Sequence, residues 1–291
     1  MRIIEGLEQG SAEWLALRKK SIGASEAPII MGESPWTTPY QLWCRKLGLE
    51  PEQSDNSAMA EGRRKEPLVR EMLRRGYPDP IMPIVAQHDT CDWLIASLDG
   101  IDSDGRIYEI KCPGIADHEK ADKGYVPEKY RAQLQHQMLV TGKSCVIYAS
   151  YNETFDPPLV SFKVDRDDEY IGKLATALQD FYRCMETLVA PPLTDRDFVE
   201  KSDLAWQEAV TLYREACRQA DYFSELKETA RKELLELSSG LNTKGCGLKL
   251  SKVVRKGTVD YSAIPELKEI NLDQYRKAPV VSYRIDLDKA T

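Results

Sequence analysis

Ser97-Leu98-Asp99-Gly100, followed after the turn-forming run Asp102-Ser103-Asp104-Gly105 by Arg106-Ile107-Tyr108-Glu109-Ile110-Lys111-Cys112-Pro113, reads as the two strands of a hairpin. Glu109 and Lys111 are two apart in a strand, so both leave one face while Tyr108 and Ile110 leave the other. Asp99 ends the preceding strand. A two-residue turn at Asp104-Gly105 would pair Ser103 with Arg106 and set Asp99 opposite Ile110, on the wrong face. A one-residue shift, from a three-residue loop or a bulge, sets it opposite Glu109 or Lys111. An irregular turn around 102–105 is therefore predicted. Two carboxylates and an amine then look into one space. They could hold a divalent ion, with the Ile110 carbonyl as a further ligand and Lys111 steering or deprotonating a metal-bound water, which is equipment for cleaving a phosphodiester. The bare D-x9-E-x-K pattern is also, and more commonly, a surface salt bridge on a hairpin.

Upstream, IMPIVAQ and CDWLIASLDG supply strand signals that make a β-meander with RIYEIKCP. Downstream, YRAQLQHQMLVTG is helical, SCVIYASYN and LVSFKV are strands, and DRDDEYIGKLATALQDFYRCMETL is a helix with an acidic first turn that suits its dipole. Before any strand lie short helices. SAEWLALRK opens at Ser11, ASEAPIIMG follows a glycine, and TTPYQLWCRKLG has a polar cap and an early proline. SAMAEGRRKEPLVREMLRRG, residues 57–76, reads as a helix interrupted by Gly62 and Pro67, with Met59, Leu68, Met72 and Leu73 on its apolar face and Glu66 in its middle. The order αα-βββ-α-ββ-α predicts an α/β (α+β) fold, a central mixed sheet flanked by helices.

APPLTDRD, from Ala190 to Asp197, breaks the pattern and predicts a boundary between a domain at 1–195 and a second region at 196–291. The second region holds a long amphipathic helix over 203–237, then short strands over 247–287. From Glu200 onward there are 16 basic and 15 acidic residues. Lys244, Lys249, Lys252, Arg255 and Lys256 sit in a stretch without an acid, a candidate phosphate-contacting patch or equally a set of lysines guarding a sheet edge.

Composition bounds the chemistry. The 291 residues carry a net charge of -7 with 42% hydrophobic and 30% charged residues, as in a soluble globular chain. No apolar run reaches the roughly 20 residues that cross a bilayer, and the opening MRIIEGLEQGSAEW has no signal-peptide stretch, so a cytoplasmic protein without membrane contact is expected. The seven cysteines are scattered and never spaced as CxxC, and none of the three histidines pairs at ligand spacing. A metal should therefore be held by oxygen, which selects Mg²⁺ or Mn²⁺.

The run D-G, then E-I-K-C-P, then the glutamine-rich YRAQLQHQM resembles the PD-(D/E)xK nuclease superfamily. Its flanks, including WLALRKKSIGASEAPIIMG with the W-x3-R and A-S-E elements, narrow the resemblance to the YqaJ and lambda exonuclease family of phage recombination nucleases, over about residues 11–190. Leu98 stands where the superfamily name has proline. The resemblance implies that Asp99, Glu109, the Ile110 carbonyl and Glu66 bind metal, that Lys111 is the catalytic lysine, and that Gln133 positions the nucleophile. It implies that Arg18, Ser25 and Ser97 contact the 5'-phosphate or the DNA near it. It implies a Mg²⁺-dependent exonuclease on the 5'-ended strand of linear duplex DNA, leaving 3' single-stranded tails for recombination. It further implies a phage or prophage origin in a bacterial cytoplasm, a trimeric ring and a single-strand annealing protein as partner.

Each residue also has a plainer reading. Glu66 is an ordinary helix charge, the stem of Arg18 covers apolar surface, and Ser25 caps the ASEAPII helix. Of Gln133, Gln135 and Gln137, only one is expected to point at the site. Trp14, Trp36 and Trp43 pack in the core or stack on DNA. A structure-specific endonuclease and a non-catalytic DNA-binding scaffold are the alternative functions.

Overall fold

The computed structural model describes residues 1–279 apart from 8–9, 52–56, 75–79, 256, 259, 261–263, 269 and 271. The chain divides into two compact units, Met1–Phe198 and Val199–Thr291.

The first unit is a mixed sheet between helices. Its strands are β1 (Arg2–Ile3), β2 (Ile22–Gly23), β3 (Met82–Gln87), β4 (Leu94–Ile101), β5 (Ile107–Lys111), β6 (Cys145–Tyr151) and β7 (Leu159–Asp165). They run in the order β1-β3-β4-β5-β6-β7, with β2 beside β4. The β3-β4-β5 meander and the β6-β7 hairpin are antiparallel, whereas β5 and β6 run parallel, because a helical crossover joins them. That crossover contains α5 (Ile115–Asp122), which the sequence reading did not anticipate, and α6 (Glu128–Thr141). The two-residue strands β1 and β2 stand among the N-terminal helices, contrary to the expectation that helices precede every strand; two residues are too few to show alternation.

The other helices are α1 (Ala12–Lys20), α2 (Ala27–Ile30), α3 (Pro39–Lys46), α4 (Ser57–Arg74) and α7 (Asp168–Thr187). Ser11 caps α1 by accepting the Trp14 N–H, and Thr38 caps α3 with Gln41 reaching back in a capping box. On one face of the sheet, α6 and α7 bury Leu134, Met138, Leu174 and Leu178 with Leu98, Ile107 and Tyr148. On the other, Val69 of α4 packs with Ile110, Ala149 and Tyr151. That packing carries α4 unbroken through Gly62 and Pro67, where an interruption was expected, offsetting the ~3 kcal/mol that an interior proline costs.

The second unit contains α8 (Leu204–Leu237), capped by Asp203, and a hairpin of β8 (Thr243–Gly245) and β9 (Leu248–Leu250). Cys246 and Gly247 make its two-residue turn with φ of 48° and 78°, the left-handed pair that suits strand twist. After the hairpin, 3₁₀ turns at Pro265–Lys268 and Leu272–Tyr275 stand where short strands were expected, and residues 280–287 lie outside the described residues. Among the described residues no helix is long and apolar enough to cross a membrane.

Candidate active site

The geometry of the site begins in the turn. Asp102 is buried and accepts from the Arg106 N–H (2.8 Å), the Arg106 guanidinium (2.7 Å) and the Tyr108 hydroxyl (2.8 Å). Burial alone would raise its pKa, but these three donors hold its carboxyl below the usual range. The Gly105 N–H returns to the Asp102 carbonyl (2.9 Å) with φ +74°, so three residues, 103–105, turn the chain. The register that results pairs Gly100 with Tyr108 and Ile101 with Ile107, which puts Asp99 level with Glu109. The expected irregular turn and one-residue shift are both present.

A second irregularity lies on the other side of β4. Between Met82↔Ile101 and Ile84↔Leu98 the pairing with β3 slips by one residue, so Asp99 and Gly100 sit in a bulge. A Cβ on Gly100 would stand 2.1 Å from Ile81 Cγ2, so only glycine fits behind the aspartate. From the bulge the Asp99 Oδ2 accepts the Ile110 N–H (2.7 Å), and the Asp99 carbonyl accepts from Arg70 Nε of α4 (2.8 Å).

Glu109 is 1% exposed and fully engaged. Its Oε1 accepts from Gln133 Nε2 (2.6 Å) and lies 2.5 Å from Lys111 Nζ; its Oε2 accepts from Gln137 Nε2. Gln133 and Gln137 are four apart on α6, so both reach the site, where only one glutamine was expected. Gln135 points away and bonds the Asp165 carbonyl and the Asp167 N–H. Lys111 also lies over the Tyr130 ring at 5.2 Å. Glu66 pairs with Arg70 one turn further along α4.

The electrostatics tie these groups together. Burial and then the Glu109 charge push the Asp99 carboxyl well above the usual range, with Glu66 adding to the rise. Glu66 is raised by burial and by Glu109, against the pull of Arg70. Burial would lower the pKa of Lys111, yet Glu109 and Asp99 outweigh it and raise the amine above its ordinary value, so it is protonated. Three carboxylates thus share the field of two cations. As placed they are not gathered on one point, and among the described residues no three His, Cys, Asp or Glu side chains form a metal-holding group. The reason is visible: the oxygens of Glu109 are taken by Lys111 and the two glutamines, and Glu66 is turned to Arg70.

Arg18 and Ser25 meet at a second place, which Trp14 links to Ser97. Arg18 Nη2 is 3.4 Å from Ser25 Oγ and 3.1 Å from Glu26 Oε1, and its guanidinium lies 4.8 Å over Trp14. Trp14 Nε1 in turn donates to Ser97 Oγ (3.2 Å), two residues from Asp99 on β4. Ser25 is not a helix cap; it lies inside a 3₁₀ turn, Ala24–Glu26, where Glu26 Oε2 accepts the Gly23 N–H (2.9 Å). The sequence reading did not single out Glu26 or Lys46, which form a buried ion pair at 2.8 Å beneath Arg18. Lys46 also bonds the Arg18 and Ser21 carbonyls (2.6 and 2.7 Å). Burial would raise the Glu26 pKa, but Lys46 and Arg18 together lower it.

The remaining candidates lie elsewhere. Trp43 is a core residue bonded to the Cys184 carbonyl, and Trp36 is exposed with Lys129 over its ring at 5.0 Å. His136 is buried against the Ile95 carbonyl, its pKa pushed down to about 4 by burial. Lys249 is paired with Lys244 across the β8-β9 hairpin, and Lys252 and Arg255 follow it, all exposed; Lys256 lies outside the described residues. All seven cysteines are free.

A helix-flanked mixed sheet with a D-x9-E-x-K hairpin at its centre is the nuclease arrangement expected from the sequence. Residues 13–144 match the model of the YqaJ-like viral recombinase domain. The uncharacterized protein YqaJ of Bacillus subtilis is 28% identical over 185 residues, which are 60% of this chain and 56% of YqaJ; the chain thus spans a little over half of that relative's length. Among solved structures, the alkaline exonuclease LHK-Exo of Laribacter hongkongensis superposes with a TM-score of 0.54 at 27% identity, over 61% of this chain and 94% of that one. Its complex with dAMP matches to the same extent.

Proposed function

We propose that the first unit is a Mg²⁺-dependent exonuclease, with Mn²⁺ able to substitute, that degrades the 5'-ended strand of linear duplex DNA and leaves a 3' tail for phage-type recombination. The observation that carries this reading is the adjacency of two oppositely charged pockets. Asp99, Glu109 and Glu66 with Lys111 form one, and Arg18 with Ser25 forms the other, connected through Trp14 and Ser97. The likeness to an alkaline exonuclease supports the reaction class.

The acidic set fits a hard divalent cation. Its donors are all oxygens, three carboxylates stand against the two cations Lys111 and Arg70, and burial first, with mutual repulsion after it, raises the pKa values of Asp99 and Glu66. Asp99, Glu109, Glu66 and the Ile110 carbonyl would hold the ion. Bound there, it supplies a nucleophilic water at neutral pH and neutralises charge on the phosphate. Gln133 and Gln137 fix the Glu109 carboxylate on both oxygens. Lys111, paired with Glu109, places its amine where it stabilises the anionic transition state. Arg18 grips a terminal phosphate while Lys46 neutralises Glu26 beneath it, so the guanidinium keeps charge for the ligand.

A ring-shaped homo-oligomer threading the DNA and a single-strand annealing partner belong to the same reading. End-labelled linear duplex with Mg²⁺ tests it. The 5' label is expected to be released first and closed circular DNA to survive. Early release of the 3' label, or rapid cutting of the circle, would favour the endonuclease reading instead.

A further inference from the structure

The helix α8 runs 34 residues, about 51 Å, and none of its residues is buried. It nevertheless carries large apolar side chains, among them Trp206, Phe223 and Leu237 at 51%, 61% and 77% exposure. Five of the large apolar side chains, Trp206, Tyr213, Phe223, Leu234 and Leu237, fall on one heptad seam, while Leu204, Leu212, Tyr222, Leu226 and Leu235 lie off it. With Trp206 as a, the a positions are Trp206, Tyr213, Ala220, Lys227 and Leu234, and the d positions are Ala209, Ala216, Phe223, Ala230 and Leu237. A seam of this period fits another helix.

The order of side chains along the seam selects which helix. In a parallel pair each layer would meet itself. Lys227 would face Lys227, Phe223 would face Phe223, and Ala209, Ala216 and Ala230 would face alanines, giving overfilled layers beside empty ones. In an antiparallel pair a packs against d. The layers then become Trp206 with Leu237, Ala209 with Leu234, Tyr213 with Ala230, Ala216 with Lys227, and Ala220 with Phe223. In four of the five an alanine faces a larger side chain, the lysines are separated, and the two-fold axis falls between residues 221 and 222, close to the middle of the helix. A surface that complements itself about a two-fold is an isologous interface.

We propose that α8 pairs antiparallel with α8 of a second copy of this chain, independently of any association of the nuclease unit. Phe223 of one copy fills the space over Ala220 of the other. The full-length chain tests this by light scattering and sedimentation. Wild type is expected to show an even number of chains. Phe223→Glu combined with Leu234→Glu is expected to halve that mass with helical circular dichroism unchanged. Size exchange then tests orientation. Phe223→Ala and Ala220→Phe, each alone, should weaken association by about tenfold or more, and the double exchange should restore it, because it rebuilds the same layer with its members swapped. A wild-type mass of one chain would mean that the seam is covered within the chain or by another protein, and would overturn the proposal. So would a mass unmoved by the glutamates, or a double exchange at least as damaging as the single changes.

Discussion

Two buried carboxylate pockets, joined through Trp14 and Ser97, differ in how their charge is balanced. Around Glu26 one carboxylate meets two cations, Lys46 and Arg18, and its pKa is lowered. Around Asp99 three carboxylates meet Lys111 and Arg70, and the pKa values of Asp99 and Glu66 are raised. The first pocket therefore has positive charge left over for an anion, and the second has negative charge left over for a cation. On the proposed reading, a phosphodiester end presented with a divalent ion would satisfy both at once, and the contrast would then serve function as well as stability.

The contrast can be broken from either side. The largest effect is expected for Asp99→Asn, whose carbonyl can still accept the Ile110 N–H. Cleavage should fall at least about 1,000-fold, while the metal-free protein should melt a few degrees higher because a repelled charge is gone. A lower melting temperature would show that Asp99 is not strained by its neighbours. The folded pKa of Asp99 lies above its unfolded value of about 3.9, so acidification from neutrality relieves this penalty as pH falls through the raised value.

Lys46→Met attacks the balanced pocket and should cost about 3 kcal/mol near pH 7, because Glu26 is left buried with only Arg18. Here the sign reverses. The pKa of Glu26 is depressed, so the stability it contributes is present above its unfolded value and is lost as pH falls through the folded one. The defect of Lys46→Met should accordingly shrink in acid; urea melts at neutral and acidic pH measure this, and a pH-independent defect would contradict the charge pairing. The smallest effect is expected for Arg18→Ala, which should erase the preference for 5'-phosphorylated over 5'-hydroxyl ends while leaving the melting temperature nearly unchanged. An unchanged preference would remove Arg18 from the anion pocket.

The sheet and its hairpin were legible because alternation and turn residues are local signals. Tyr108-Glu109-Ile110-Lys111 alternates cleanly, and the facing requirement alone demanded the one-residue shift that Gly105 and Asp102 produce. Gln137 reaches the site together with Gln133 because the two are one helical turn apart, whereas the three alternate glutamines pointed to only one doing so. The Glu26–Lys46 pair could not be read, because it joins a 3₁₀ turn to the end of a helix twenty residues further on, and no periodic signal spans that separation. The continuity of α4 through Pro67 was equally hidden, since tertiary packing of Val69 overrides the local preference.

Manganese titration of the DNA-free protein by calorimetry tests the central claim most directly. The account predicts saturable binding to the wild type, accompanied by a rise in melting temperature, and loss of both in Asp99→Asn. No binding to the wild type, or equal binding to both proteins, would contradict it.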